Sequence, residues 1–267
     1  MPQIRVCIKG AGEMASAVAW WIFMFNIGKI VMLEIPKPLA VRRRVSFCEA
    51  VYDGCQTVEG VHAVRVDSID SIKGAWEQGN IAVAVDPEWN FQRQLRPDVV
   101  VDAILAKRNL GSSISEAPLV IALGPGFWAS RDAHFVIETN RGPNLGRIIR
   151  DGCAEPDTGV PGSVGGFTAE RVLRAPADGM FEPIRQICDK VRRGEVIGWI
   201  KEAKVEAPID GVLRGLIRPH TYVTNKLKIG DIDPRGEAVS CDTISDKAKA
   251  IAASVLDAIL GWNGHRI

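Results

Sequence analysis

Apolar positions in this chain fall into short runs separated by polar and glycine-rich turns. Val6-Cys7-Ile8, Ile30-Val31-Met32-Leu33, Ile81 to Val85, Val99-Val100-Val101 and Leu119 to Leu123 are nearly continuous, as strands buried on both faces are. His134 to Thr139 adds a further strand, and Val58 to Val66 one paired at an edge. Between them lie helical patterns at Met14–Phe25, Cys48–Tyr52 (ending at Gly54) and Ile69–Glu77. Strands that alternate with helices predict an α/β fold with a Rossmann-like parallel or mixed sheet covered on both faces. This part is expected to span residues 1–155.

Residues 156–170 read as a linker, because the stretch Glu155 to Gly166 is rich in turn formers and has no periodicity. Residues 171–237 then carry an internal repeat. Ala175-Pro176-Ala177-Asp178-Gly179-Met180 returns 32 positions later as Ala207-Pro208-Ile209-Asp210-Gly211-Val212, with Val191 matching Val223 and Gly198 matching Gly230. Two copies of a short β pattern, neither able to bury its apolar face alone, predict a small all-β barrel-sandwich domain. Residues 238–267 form a C-terminal helix. Ser245 caps it, Gly261 stops it, and Ile251, Val255 and Ile259 make one buried stripe.

A length of 267 residues, 46% hydrophobic and 24% charged content are those of a soluble globular protein. A net charge of +1 gives no reason to expect nucleic acid or an acidic membrane as partner, and a homo-oligomer stays open. The run Met14–Phe25 is too short to span a bilayer. With no targeting segment visible, the cytoplasm is the expected setting. Six scattered cysteines without C-x-x-C spacing read as reduced thiols, Cys241 being either a small core residue or a thiol acidified by the following helix. Four isolated histidines make no metal set.

The candidate chemistry begins at Gly10-Ala11-Gly12-x-x-Ala15, directly after the first strand and opening the first helix. In a nucleotide-binding βαβ unit the first glycine makes the turn and the second lets backbone approach a phosphate. A small third residue lets the helix pack. Glu34 ends the second strand 22 residues past Gly12, where a carboxylate can take ribose hydroxyls. NAD(P) is therefore one candidate cofactor. Lys107 and Arg108, past another strand end, are candidate anion contacts or ordinary surface charges. Gly124-Pro125-Gly126-Phe127 exposes backbone at the same sheet edge. Arg42-Arg43-Arg44 either receives a phosphate or forms a solvated face. An NAD(P)-dependent oxidoreductase would still need a proton donor, and His134, Tyr52 and Tyr222 have no convincing setting for that role. No catalytic residue is assigned.

Two resemblances add to this. Val205-Glu206-Ala207-Pro208-Ile209-Asp210-Gly211 resembles the second half of biotinyl/lipoyl-like domains, without their carrier signature: Ile200 stands where the modified lysine would be, and neither Lys201 nor Lys204 has its setting. No biotin or lipoate attachment is expected. More widely, the chain resembles the accessory proteins of selenium-dependent molybdenum hydroxylases. The phrases that carry this include Lys9-Gly10-Ala11-Gly12, Glu34-Ile35-Pro36-Lys37-Pro38-Leu39-Ala40-Val41-Arg42-Arg43 and Asp102-Ala103-Ile104-Leu105-Ala106-Lys107-Arg108-Asn109. Leu123 to Phe127, Val136 to Gly142 and Ile229 to Arg235 add to them. The Rossmann part is distantly similar to xanthine dehydrogenase maturation factors. The resemblance implies a maturation role, molybdenum cofactor as ligand, and a molybdenum hydroxylase or its maturation machinery as partner. A docking scaffold without catalysis is the third reading.

Overall fold

The computed structural model describes residues 4–236 and 240–263. The expected boundary at 237/238 and His265 lie outside these residues. The chain forms two compact units: Met1–Pro38, Val45–Thr158 and Ile244–Ile267 in unit 1, Leu39–Arg44 and Gly159–Thr243 in unit 2.

Unit 1 runs β1 (Ile4–Lys9), α1 (Glu13–Met24), β2 (Gly28–Glu34), α2 (Ala50–Asp53), β3 (Cys55–Val58), β4 (Val61–Val66), α3 (Ile69–Glu77), β5 (Ile81–Val85) and α4 (Asn90–Leu95). It continues through β6 (Val99–Asp102), β7 (Leu119–Leu123), β8 (Trp128–Ala129), β9 (Phe135–Ile137), β10 (Ile148–Ile149) and β11 (Gly152–Cys153). Nine strands form one sheet in the order β10-β9-β7-β6-β1-β2-β5-β4-β3, and β8 pairs with β11 apart from it. The inner seven run parallel, and each edge strand, β10 and β3, is antiparallel to its neighbour. Val6, Ile8, Val99 to Val101 and Leu119 are fully buried, which is why these segments show no apolar–polar alternation. The expected single strand Val58–Val66 is instead the β3–β4 hairpin, turned at Glu59 and Gly60, both at positive φ (42° and 82°).

Unit 2 runs β12 (Val172–Arg174), β13 (Gly179–Pro183), β14 (Lys190–Val191), β15 (Val196–Ile200), β16 (Ala203–Glu206), β17 (Gly211–Leu216), β18 (Thr221–Val223) and β19 (Lys228–Asp233). These make two four-stranded antiparallel sheets, β12-β19-β17-β14 and β16-β15-β13-β18. The 32-residue repeat governs the pairing. β13 of the first copy pairs with β18 of the second, Gly179 opposite Val223, and β17 of the second pairs with β14 of the first, Gly211 opposite Val191. Each copy thus completes the other's sheet, around a core that includes Phe181, Ile197, Ile200, Leu213, Ile229 and Ile232.

The last helix, α5 (Asp246–Asn263), packs on α1 within unit 1. Its buried face includes Ala248, Ile251, Val255 and Ile259. Ser245 Oγ accepts the Ala248 amide at 3.2 Å. The helix continues through Gly261, where the sequence predicted a stop; one glycine costs a helix only about 1 kcal/mol.

The expected plan, a Rossmann-like sheet followed by a biotinyl/lipoyl-like barrel and a separate helix, is therefore corrected. The protein is an α/β molecule with one large mixed sheet and several antiparallel sheets, and its units are interleaved along the chain. The reason lies in two segments whose local pattern does not reveal their packing. Leu39–Arg44 belongs to unit 2, where Arg43 Nε donates to Leu216 O at 2.8 Å and Arg42 Nη2 to Thr243 O at 2.9 Å. A β-carbon on Gly215 would lie 2.7 Å from Val41 Cγ1, so the backbone is pressed against that segment. Cys188 and Cys241, 53 positions apart, form a disulfide within unit 2, which corrects the expectation of six reduced thiols. Cys241 lies buried in the unit 2 core, as one reading had it, and the bond removes the other, an acidified free thiol.

Candidate functional site

The carboxyl ends of the parallel strands bring most of the expected site residues to one edge of unit 1. β1 is flanked by β2 on one side and β6 on the other, so the chain leaves β1 at the point where strand order reverses. Ligands of open α/β sheets bind in the crevice at such a point. Gly10 turns there at φ +89°, and its amide donates to Leu33 O at 2.7 Å. A β-carbon on it would sit 3.3 Å from Ala103 O, in the loop after β6. Gly12 is the N-cap of α1, with no side-chain cap, and nothing lies within 4 Å of where its β-carbon would be. Ala15, the third position of the motif, is fully buried. The start of α1 thus carries no side-chain cap at Gly12 and lies beside an unfilled space.

Glu34 is placed at this turn, with a use that its spacing did not reveal. Its Oε1 accepts the Ala11 amide and its Oε2 the Ile35 amide, both at 2.8 Å. Burial pushes its pKa up, and the two backbone hydrogen bonds work against that shift. The carboxylate clamps the glycine turn, leaving its remaining lone pairs for a ligand hydroxyl. Ala11 O is held in turn by the Cys48 amide at 2.9 Å and Ser16 Oγ at 3.0 Å.

The other expected residues do different work. Lys107 Nζ pairs with Asp157 at 2.6 Å on the surface. Arg108 contributes its backbone, against which Gly126 is pressed: a β-carbon on Gly126 would come within 2.5 Å of Arg108 Cα. Gly124 donates its amide to Ile137 O at 2.9 Å, and a β-carbon there would lie 2.6 Å from Thr139 Oγ1. These two glycines, at φ +77° and +105°, let loops cross closely. Arg42, Arg43 and Arg44 lie in unit 2 and hold its backbone; Arg44 Nη2, for example, donates to Ile187 O at 3.0 Å. His134 Nδ1 accepts the Val120 amide at 2.9 Å, and burial lowers its pKa, so it serves as a neutral acceptor. Tyr52 Oη donates to Pro38 O at 2.9 Å, and Tyr222 is exposed.

Sequence reasoning missed a buried polar cluster at the same edge. Lys9, fully buried at the end of β1, donates to Ser112 Oγ at 2.7 Å and to Glu116 Oε1 and Oε2 at 2.9 and 2.7 Å. Its Nζ also lies 3.4 Å from the centre of the Trp89 ring. Ser112 Oγ donates onward to Asp102 Oδ2 at 2.6 Å, and Asp102 ends β6 opposite Lys9. Burial raises the Asp102 pKa against the Ser112 hydrogen bond. Both Lys9 and Asp102 close apolar strands at the ligand edge, a placement that could have singled them out. Ser112 and Glu116 sit in a serine-rich loop that carries no such signal. Every member of the cluster is committed to another, so its work is to fasten the loop after β6 over the strand ends. Among the described residues no group of three or more His, Cys, Asp or Glu is placed to hold a metal. None of the described helices is long and apolar enough to cross a membrane.

No family model matches the chain. It is 48% identical over 256 residues to uncharacterized protein YqeB of Escherichia coli (strain K12), covering 96% of this chain and 47% of that protein. The chain thus spans about half the length of the curated relative it matches. Among solved structures it is similar to a succinylglutamate desuccinylase/aspartoacylase from Rhodobacter sphaeroides: 26% identity over 24% of this chain and 22% of that one, TM-score 0.22. It is also similar to an aspartoacylase family protein from Mesorhizobium loti: 12% identity over 88% and 86% of the two chains, TM-score 0.25. Scores this low carry no argument about fold or activity. None of these comparisons names an accessory protein of selenium-dependent molybdenum hydroxylases, such a hydroxylase, or a maturation factor. That resemblance is corrected on this ground, together with the maturation role and the partner it implied. The oxidoreductase and docking-scaffold alternatives gain no support either. Several of its phrases meet backbone demands. Gly126 meets the Arg108 backbone, and Asp233, at the end of β19, accepts the Arg235 amide at 3.1 Å.

Proposed function

We propose that unit 1 binds a small nucleotide-type ligand, with a phosphate at the Gly10–Gly12 turn and a hydroxyl at Glu34. The observation that carries this reading is the uncapped, unobstructed start of α1 at Gly12, in the crevice between β1 and β6. A phosphate there meets the amide end, and so the positive pole, of a 12-residue helix. NAD(P) is the ligand that the sequence suggests for this turn, and the molybdenum cofactor, brought in by the resemblance alone, is kept as a second probe; both are taken as bound molecules without an assigned reaction. The cytoplasmic setting expected from the sequence belongs to the same reading. The test is Gly12→Asp. An aspartate at an N-cap stabilises the helix by up to about 1 kcal/mol while placing a like charge against a phosphate. Calorimetric titration with NAD(H), NADP(H) and molybdopterin nucleotide should show binding to the natural chain, with a loss of about tenfold or more in the variant and no fall in thermal stability. Failure of all three to bind the natural chain removes the reading.

On the same reading unit 2 carries no attached biotin or lipoate. Ile200, at the carrier position, is fully buried in the core, and Lys201 is displaced into the β15–β16 turn at φ +55°. Intact mass spectrometry of the chain should give its unmodified mass. A mass increase located on Lys201 or Lys204 would make unit 2 a carrier.

A further inference from the structure

A second concavity lies in unit 1, beside α4 and away from the glycine turn. It is a cleft of about 790 Å³ whose lining includes Arg5, Trp89, Gln92, Arg93, Arg96 and Glu116. Three arginines therefore border one space. Two are anchored: Arg5 Nη1 donates to Leu95 O at 2.8 Å, and Arg93 Nη2 to Asn90 Oδ1 at 2.7 Å. The Arg96 side chain has no partner among the described residues. The carboxylates nearby are already engaged, Glu116 by Lys9 and Asp98 by the Arg5 amide at 2.8 Å and Arg5 Nε at 3.7 Å, which leaves Arg93 and Arg96 without a carboxylate among the described residues. Positive charge is left over in the cleft.

The independent observation is Gln92. It is 5% exposed, and its Oε1 is buried without a hydrogen-bond partner. Leaving such a buried acceptor unpaired is costly, so its presence at a cleft calls for a donor from outside the chain. The backbone around it is strained in the same sense. Trp89 and Arg96, the residues flanking the six-residue α4, are both left-handed, at φ +56° and +46°, although neither is glycine. Strain of this kind is retained where the surroundings fix a particular arrangement. Trp89 is fixed by its ring, which packs on Lys9 Nζ.

We propose that this cleft binds a small oxyanion that also carries a hydroxyl donor, the oxyanion (phosphate or carboxylate) meeting Arg96 and Arg93 and the hydroxyl meeting Gln92. A guanidinium fork suits either oxyanion. The site shares no residue with the glycine turn, so the two stand or fall separately. The probes are inorganic phosphate and glycerol 3-phosphate, titrated into the full chain by calorimetry. Glycerol 3-phosphate should bind the natural chain more tightly than inorganic phosphate does. Arg96→Asn, a residue that tolerates the left-handed backbone, should weaken both by about tenfold. Gln92→Leu, which leaves the guanidiniums in place, should bring the two probes to equal affinity. Running the same titrations in the Gly12→Asp background removes phosphate binding at the glycine turn, so the binding that remains there belongs to the cleft. Thermal melts of both variants confirm that they are folded; Arg93→Gln, at an exposed position, replaces Arg96→Asn if that variant is not. No saturable binding to the natural chain, or binding that survives loss of the arginine, overturns the proposal. So does an advantage of glycerol 3-phosphate that persists in Gln92→Leu.

Discussion

Replacing Lys9 with methionine is expected to destabilise unit 1 by about 3–5 kcal/mol, the range for breaking a buried ion pair from one side. Lys9 is fully buried, and its ammonium is the partner of the Glu116 carboxylate and of Ser112 Oγ, which is itself bonded to Asp102. Methionine fills a similar volume but leaves Glu116 and Asp102 without a cation. The loss should depend on pH in a defined direction. Burial already raises the Asp102 pKa, while the Ser112 hydrogen bond and, more weakly, the Lys9 charge lower it. Without Lys9 it rises further above the unfolded value of about 3.9. A carboxyl with a raised folded pKa destabilises the fold where it is ionised, and the penalty fades as pH falls through that pKa. The deficit of Lys9→Met should therefore be largest near neutral pH and narrow on acidification. Adding Glu116→Gln should recover part of it. Urea unfolding across this pH range checks both points, and a neutral-pH deficit below about 1 kcal/mol would show that the cluster does not fasten the loop.

Much of unit 1 was legible because its strands obey one rule. A segment buried on both faces is apolar throughout, and Val99-Val100-Val101 or Leu119 to Leu123 can be read without any partner. The glycine turn was legible for a related reason: Gly10 at φ +89° sits where a side chain would strain the backbone, and the sequence places a glycine there. The function of Glu34 was not. Spacing puts a carboxylate at the end of β2, yet only the folded distances show both oxygens accepting amides. Lys107 and Arg108 illustrate the converse. Position past a strand end suggests an anion site, while the structure gives one to a surface ion pair and uses the backbone of the other.

What stayed hidden depends on long-range partners. α4 lies between two left-handed residues, Trp89 and Arg96, and six residues are too few to show a helical period. The arginine segment has a polar pattern compatible with any exposed turn, and its membership of unit 2 rests on carbonyls more than 140 positions away, those of Ile187, Leu216 and Thr243. The Cys188–Cys241 bond joins a loop of the first repeat copy to a residue beyond the second. No local spacing encodes such a pair, and the absence of C-x-x-C therefore said nothing about it. The repeat was legible as a repeat. That each copy pairs with the other, β13 with β18 and β14 with β17, follows only from the register.

That exchange makes Phe181 the most consequential core residue of unit 2, and Phe181→Ala should cost about 3–5 kcal/mol. Phe181 is fully buried on β13, opposite Ile200 on β15 and Thr221 on β18, so it touches strands from both repeat copies. Its equivalent 32 positions on is Leu213, also fully buried. The second copy thus fills the same place with an aliphatic side chain, and Phe181→Leu should retain most of the stability, at about 1–2 kcal/mol. The space around the ring cannot simply close. Gly198 faces it, and a β-carbon there would lie 3.0 Å from Phe181 Cε2 but also 2.6 Å from Glu182 O and 2.8 Å from Pro183 Cα. Backbone, not only the ring, sets that limit. Gly198→Ala should therefore remain destabilising, by about 1–3 kcal/mol, even in the Phe181→Ala background where the ring is gone. Hydrogen exchange of segments 179–183 and 196–200 in the full chain reads unit 2 without requiring it to fold alone. Loss of protection there in Phe181→Ala, with β1 and β6 unchanged, is the expected result. If Gly198→Ala were instead rescued by Phe181→Ala, the close approach would belong to the side chain rather than to the paired backbones of β13 and β15.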